Sequence, residues 1–266
     1  MHIHALDAYR SRASLIHRLD ARVKFALTVL FVVAVALTPE GVWGAYVALA
    51  ILALIAAVVS RLGVGFVYKR SAVALPFALA AITVAFSTPG QSLVAMHVFQ
   101  WNLAITDTGL IRLFSIVLKS WLSVQMAVIL TASTPFAALL GAMRSLRVPK
   151  VLVTIVGFAY RYIFVIADEV VRMTRARTAR SGAKEPDRRG GGSVLWRAKV
   201  TGGMAGSLFL RSIARSERIY DAMVARGYDG EVRTLRSPSV QLGDVGIGLS
   251  FAGLVVGIEI LARWIW

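Results

Sequence analysis

The chain has 266 residues, 57% of them apolar, and carries a formal charge of +16. Its mean hydropathy of +0.69 is too high for an ordinary soluble domain and points to a membrane protein. The absence of cysteine removes disulfides, thiolate nucleophiles and cysteine-ligated metals, and a basic excess on a membrane protein points to positive-inside topology before it points to nucleic acid.

Residues 1–24 are polar and basic, with a short amphipathic helix or loop expected from Ser14 to Asp20. Charged residues from Asp7 to Lys24 precede the first apolar run and no small-residue cleavage site follows, so no cleavable signal peptide is expected. The first run, 25–37, is short, and Lys24 can snorkel to extend it. Pro39-Glu40-Gly41 makes a turn. A second span covers 42–59 and is closed by Arg61, Lys69 and Arg70. The third, 72–86, carries Pro76 as an expected kink. Thr88-Pro89-Gly90 opens a loop to about Thr108 that has no Lys or Arg. The fourth span, 110–131, is interrupted by Arg112 and Lys119.

Pro135 and Pro149 bracket a short helix, 136–146. Residues 151–167 are apolar apart from Arg161 and run without a break into Asp168-Glu169-Val170-Val171-Arg172-Met173. Arg188-Arg189-Gly190-Gly191-Gly192 reads as a hinge. Residues 205–225 form an amphipathic helix, with Leu208, Phe209, Ile213, Tyr220 and Val224 on one side and Arg211, Arg215 and Arg218 on another. A last span, 245–262, ends in the interfacial Arg263-Trp264-Ile265-Trp266.

Charge fixes the expected topology. With the N-terminus in the cytoplasm and five spans, every Lys and Arg except Arg112, Lys119 and Arg263 lies on the cytoplasmic side. A further span at 151–167 would turn the basic residues from Arg172 to Arg236 outward, against the positive-inside rule. Residues 151–167 are therefore expected to lie under, or dip into, the inner leaflet.

No catalytic set is evident. There is no G-x-x-x-x-G-K-[ST] phosphate loop, no paired-histidine metal motif, and Glu259 is the only acid in a span. His2 and His4 with the amino terminus could ligate a divalent metal, or be no more than a polar start. His97 reads as packing among Met96, Val98 and Phe99. Arg112 and Lys119 are costly in lipid and, seven residues apart, share a helical face. Glu259 should sit at the depth of Arg112, so an Arg112–Glu259 pair is expected, with Lys119 facing a polar path or a partner. Polar packing inside the bundle is the alternative.

Two triplets echo each other, Ala179-Arg180-Ser181 and Ala225-Arg226-Gly227, each where a basic amphipathic helix should end. The planar arginine fork suits carboxylates or helix-end carbonyls of a partner, and small neighbours admit a partner backbone. Glycine after arginine also suits an ordinary helix stop, so both readings stand on the residues alone.

Leu19-Asp20-Ala21-Arg22-Val23-Lys24 resembles the L-D-P-R-x-K opening of transmembrane T-components of energy-coupling factor (ECF) transporters. Tyr160-Arg161-Tyr162, Asp168-Glu169 and the segment from Met173 to Arg180 resemble the second coupling helix of that family. Phe209-Leu210-Arg211-Ser212, Glu217-Arg218-Ile219-Tyr220 and the segment from Ala222 to Gly230 are similar to the third, in the cobalt or nickel (CbiQ/NikQ) branch. The resemblance covers nearly the whole chain and is most specific over 157–230.

It implies an all-α integral membrane scaffold in three parts: 1–131 with four transmembrane helices, 132–241 with cytoplasmic coupling helices, and 242–266 with the last transmembrane helix. It implies a non-enzymatic subunit of an ATP-driven importer in the cell inner membrane. Arg180 and Arg226, each with its flanking residues, would dock one each of two ABC-type ATPase subunits. ATP would be bound by the ATPases and the metal ion by a membrane S-component, with no cofactor on this chain. Ser181 stands where Gly is common, and Ala21 where Pro is usual. A T-component serving a vitamin S-component is the nearest rival. A membrane-anchored nucleic-acid-binding protein is a rival of another class, disfavoured by the acids interspersed from Asp168 to Glu231 and by the lack of an aromatic platform. An intramembrane enzyme ranks third.

Overall fold

The computed structural model describes residues 9–89, 92–98, 101–180, 193–230 and 241–265; His2, His4, Ser181 and the 188–192 hinge lie outside them, as does the side chain of His97. The described chain divides into two compact units, Ala8–Leu146 with Ser237–Trp266, and Arg147–Arg236. The helix Phe136–Ser145 packs on the helix Ala21–Leu37 and falls within the first unit.

The first unit is a helical bundle. Ser14 caps the four-residue α1 (Leu15–Arg18), its hydroxyl accepting from the His17 N–H. Asp20 caps α2 (Ala21–Leu37) by accepting from the Arg22 N–H at 2.7 Å, which satisfies a donor with no intrahelical partner. Helix α2 buries Lys24, Thr28, Phe31, Ala34 and Val35, a stripe at helical spacing. Helix α3 (Trp43–Val59) buries Tyr46, Leu49 and Ala53 while leaving Val47, Ile51 and Ile55 exposed. A helix that is apolar all round belongs in a lipid surrounding.

Helix α4 (Val64–Ser71), not expected from the periodicity, follows a tight corner in which Arg61 and Gly63 both take positive φ. A 3-10 turn (Ala72–Ala74) leads into α5 (Leu75–Ser87). Pro76 does not kink a span as expected. It sits in the first turn of α5, where its missing N–H costs nothing. The expected loop is an antiparallel hairpin, β1 (Ser92–Val98) with β2 (Trp101–Thr106), pairing Met96 with Leu103 and Val98 with Trp101. It is the strand pair described in an otherwise helical chain. Thr106 then caps α6 (Asp107–Ser133), accepting from the Gly109 N–H at 3.1 Å. Helix α7 (Phe136–Ser145) packs on α2, and α10 (Leu242–Ile265) packs on α2 and α3. Phe31, Val35, Leu49, Val67 and Val255 are the most deeply buried members of the core, joined by Leu122, Met126 and Ile129 of α6.

The second unit is built on α8 (Lys150–Arg180) and α9 (Val194–Ala225). As the unbroken pattern suggests, α8 is one helix of 31 residues. Helix α9 begins at Val194 rather than 205; Ser193 caps it, and Gly202, Gly203 and Gly206 lie in its interior, each weakening the helix signal by about 1 kcal/mol. Among the described residues, α6, α8 and α10 are long and apolar enough to cross a membrane. Helices α2 and α3, at 17 residues each, lie at the lower limit of spanning length.

Candidate functional site

Three ionisable residues mark the bundle. The expected Arg112–Glu259 pair is not formed. Arg112 Nε lies 2.9 Å from Glu40 Oε2, and Glu259 Oε1 accepts from the Thr38 hydroxyl at 2.5 Å. Lys119 Nζ donates to the Ala36 carbonyl at 3.2 Å. All three thus converge on the end of α2 and the turn after it. The reason lies in the termination of that helix. Its last carbonyls have no intrahelical donor, and the turn brings Glu40 to the same level. Gly41 turns the chain at φ +84°, and its N–H donates to Ser115 Oγ at 3.2 Å.

Lys119 has a counterpart at the other end. Lys24, expected to snorkel, is buried and donates to the Ser133 carbonyl at 3.3 Å. Helices α2 and α6 therefore run antiparallel, and each receives a lysine from the other on a carbonyl at its C-terminal end. Cations are favoured there by the helix dipole.

In the second unit Glu169 is the centre. Its carboxylate holds Arg172 on its own helix, meets Arg211 Nη1 at 3.0 Å and lies 3.9 Å from Arg215 Nη2. Arg177 Nη1 donates to Thr201 Oγ1 at 2.9 Å. Contacts that advance along α8 recede along α9, so the two helices are antiparallel. Partial desolvation pushes the Glu169 carboxyl up, but Arg172 and Arg211 outweigh it and hold its pKa below the ordinary value. The Glu169–Arg172 spacing was readable in the sequence; the Arg211 contact, 42 residues away, was not.

Arg180 ends α8 and Arg226 is the C-cap of α9. Gly227, at φ +79°, donates to the Val224 carbonyl at 2.9 Å, and the Tyr228 N–H reaches the Met223 carbonyl at 3.0 Å. These two bonds are a Schellman stop, made entirely by backbone. The Arg226 side chain is exposed and has no partner among the described residues, and the same is true of Arg180. Arg180 shares a groove with Trp196 near the start of α9. Arg226 lies 30 residues further on, about 45 Å along that helix at 1.5 Å per residue. The two arginines therefore stand at opposite ends of the helix pair. Among the described residues no group of His, Cys, Asp and Glu could hold a metal ion.

Long apolar helices with exposed aliphatic faces, joined to a basic helix pair, define an all-α integral membrane protein. The chain belongs to the CbiQ family, described as cobalt transport protein, whose family model matches residues 12–236. It is 26% identical to the cobalt transport protein CbiQ of Rhodobacter capsulatus, over 74% of this chain and 78% of that protein. It is 28% identical to the energy-coupling factor transporter transmembrane protein EcfT of Brevibacillus brevis, over 87% of each chain. It is 31% identical to EcfT of Limosilactobacillus fermentum, over 84% of this chain and 83% of that protein. It is thus a membrane component of ECF-type transport.

Proposed function

We propose that this chain is the T-component of an ECF-type importer for cobalt or nickel ions. Helices α2, α3, α5, α6 and α10 cross the cell inner membrane, with the N-terminus and the α8–α9 unit in the cytoplasm. The apolar start of α8 lies against the inner leaflet. Arg180 and Arg226 each dock one of two ABC-type ATPase subunits, and an S-component in the membrane holds the metal ion. ATP and its chemistry belong to the ATPases; this chain transmits their motion and catalyses nothing.

The observation that carries the reading is the exposed arginine at each end of the helix pair, without a partner among the described residues. At Arg226 the backbone alone completes the helix stop, which leaves the guanidinium available to a partner. A separation of about 45 Å along α9 suits two partner copies better than one. The CbiQ match supports the metal substrate. The EcfT relatives support a second reading, in which the S-component takes a vitamin.

Co-purification with the candidate ATPases tests the docking. Arg180→Glu and Arg226→Glu should each weaken assembly, and the double variant should abolish ATP-dependent metal uptake. Intact assembly and uptake in the double variant would refute the docking roles. Uptake of labelled vitamin with none of cobalt or nickel would select the second reading.

A further inference from the structure

The groove between α8 and α9 has a volume of about 810 Å3, and Arg172, Arg177, Arg180 and Arg211 line it against a single acid, Glu169. Glu169 leaves most of its partners' donors unused. It takes one nitrogen each from Arg172 and Arg211, and a guanidinium carries five N–H donors. Those two side chains remain 66% and 62% exposed. The lining thus keeps a net charge of about three positive units. Trp196, Met173, Met204 and Val200 give the same groove an apolar wall. A cavity of this size, with a basic rim and an apolar wall, suits an amphiphilic anion.

Its place along α8 narrows the chemistry. Before the groove, the helix exposes Val151, Leu152, Ile155, Val156, Ile163 and Ile166. From Arg172 onward it carries an arginine every two or three residues. In a membrane protein such a change from aliphatic to basic marks headgroup level, where arginine and tryptophan collect. We infer that the α8–α9 groove binds the phosphate headgroup of an anionic phospholipid. This rests on the proposed position of the apolar half of α8 at the inner leaflet. The bound headgroup would hold the Arg180 end of the helix pair to the leaflet.

The test uses the purified full chain without ATPases, so its failure leaves the docking reading untouched. Retention of short-chain phosphatidylglycerol and phosphatidylcholine is compared by native mass spectrometry. The wild type should retain phosphatidylglycerol preferentially. The double variant Arg172→Gln/Arg177→Gln should lose about fivefold for each charge removed. The matched Arg172→Lys/Arg177→Lys variant, which disturbs the same packing but keeps the charge, should stay close to wild type. Equal retention of the two lipids by the wild type would overturn the inference. So would equal retention by wild type and Gln variant, or an equal loss in the Gln and Lys variants. Displacement of the lipid by an equal concentration of inorganic phosphate would make the ligand a soluble anion and overturn the lipid assignment.

Discussion

Gly248 of α10 is, among the described glycines, the one at which an added methyl group would meet its neighbour most closely. A Cβ there would fall 2.9 Å from Val23 Cγ1 of α2, well inside the optimum of about 3.5–4.0 Å for carbon atoms. Valine is stiff at χ1, so the methyl cannot swing away cheaply. The helices cannot separate cheaply either. The Asp20 N–H is bonded to Asp244 Oδ2 at 3.2 Å, and Thr38 is bonded to Glu259 near the other end of α10. Overpacking of this kind costs about 1–3 kcal/mol, while replacing a mid-helix glycine by alanine returns about 1 kcal/mol. Gly248→Ala should therefore destabilise the wild type by up to about 2 kcal/mol. In a Val23→Ala background the clash is gone and only the propensity gain remains, so the sign should reverse. Unfolding midpoints in detergent, followed by tryptophan fluorescence for wild type, both single variants and the double, give the coupling directly. A coupling energy under about 0.5 kcal/mol would mean the two sites are independent and would refute the close contact of α2 with α10.

Two further outcomes are expected. Glu40→Arg or Arg112→Glu alone should lower the unfolding midpoint by placing like charges together, and the double swap should restore it. Because both side chains are nearly half exposed, the wild-type pair itself contributes at most about 1 kcal/mol; failure of the swap to rescue would sink the assignment. For Glu169, whose folded pKa lies below its ordinary 4.5, the contribution to stability is fully present above the unfolded value. It is lost as pH falls through the lowered folded one. A fluorophore on a single cysteine introduced beside the α8–α9 crossing, in a chain that has no other cysteine, should accordingly report a loosening in that acid window, absent from Glu169→Gln.

The boundaries of the long helices were largely legible because they depend on local properties. The unbroken run through α8 and the proline-bracketed α7 are matters of periodicity and neighbouring residues. The end of α9 at Arg226 was legible for the same reason, since the αL position of Gly227 is a demand on one residue. Local signals were weakest where glycines dilute the start of α9 and where α4 and the hairpin occupy short connections. Pro76 was misread because a proline between apolar residues looks the same in a helix interior as in a first turn.

The sequence by itself determined the class of protein, the apolar and basic segments, and the two arginines that end basic helices. Which residues meet was decided only by the tertiary structure. Arg112 and Lys119 are costly in lipid, and depth alone suggests a pair between Arg112 and Glu259, with Lys119 facing a polar path or a partner. Folding instead brought each to the end of α2, where a carboxylate, a hydroxyl and an unpaired carbonyl were closer. In the same way Glu169 and Arg211 are far apart in the chain and become partners only when α8 and α9 lie antiparallel. A local pattern fixes which face of a helix is polar; the partner across that face is set by how the helices pack.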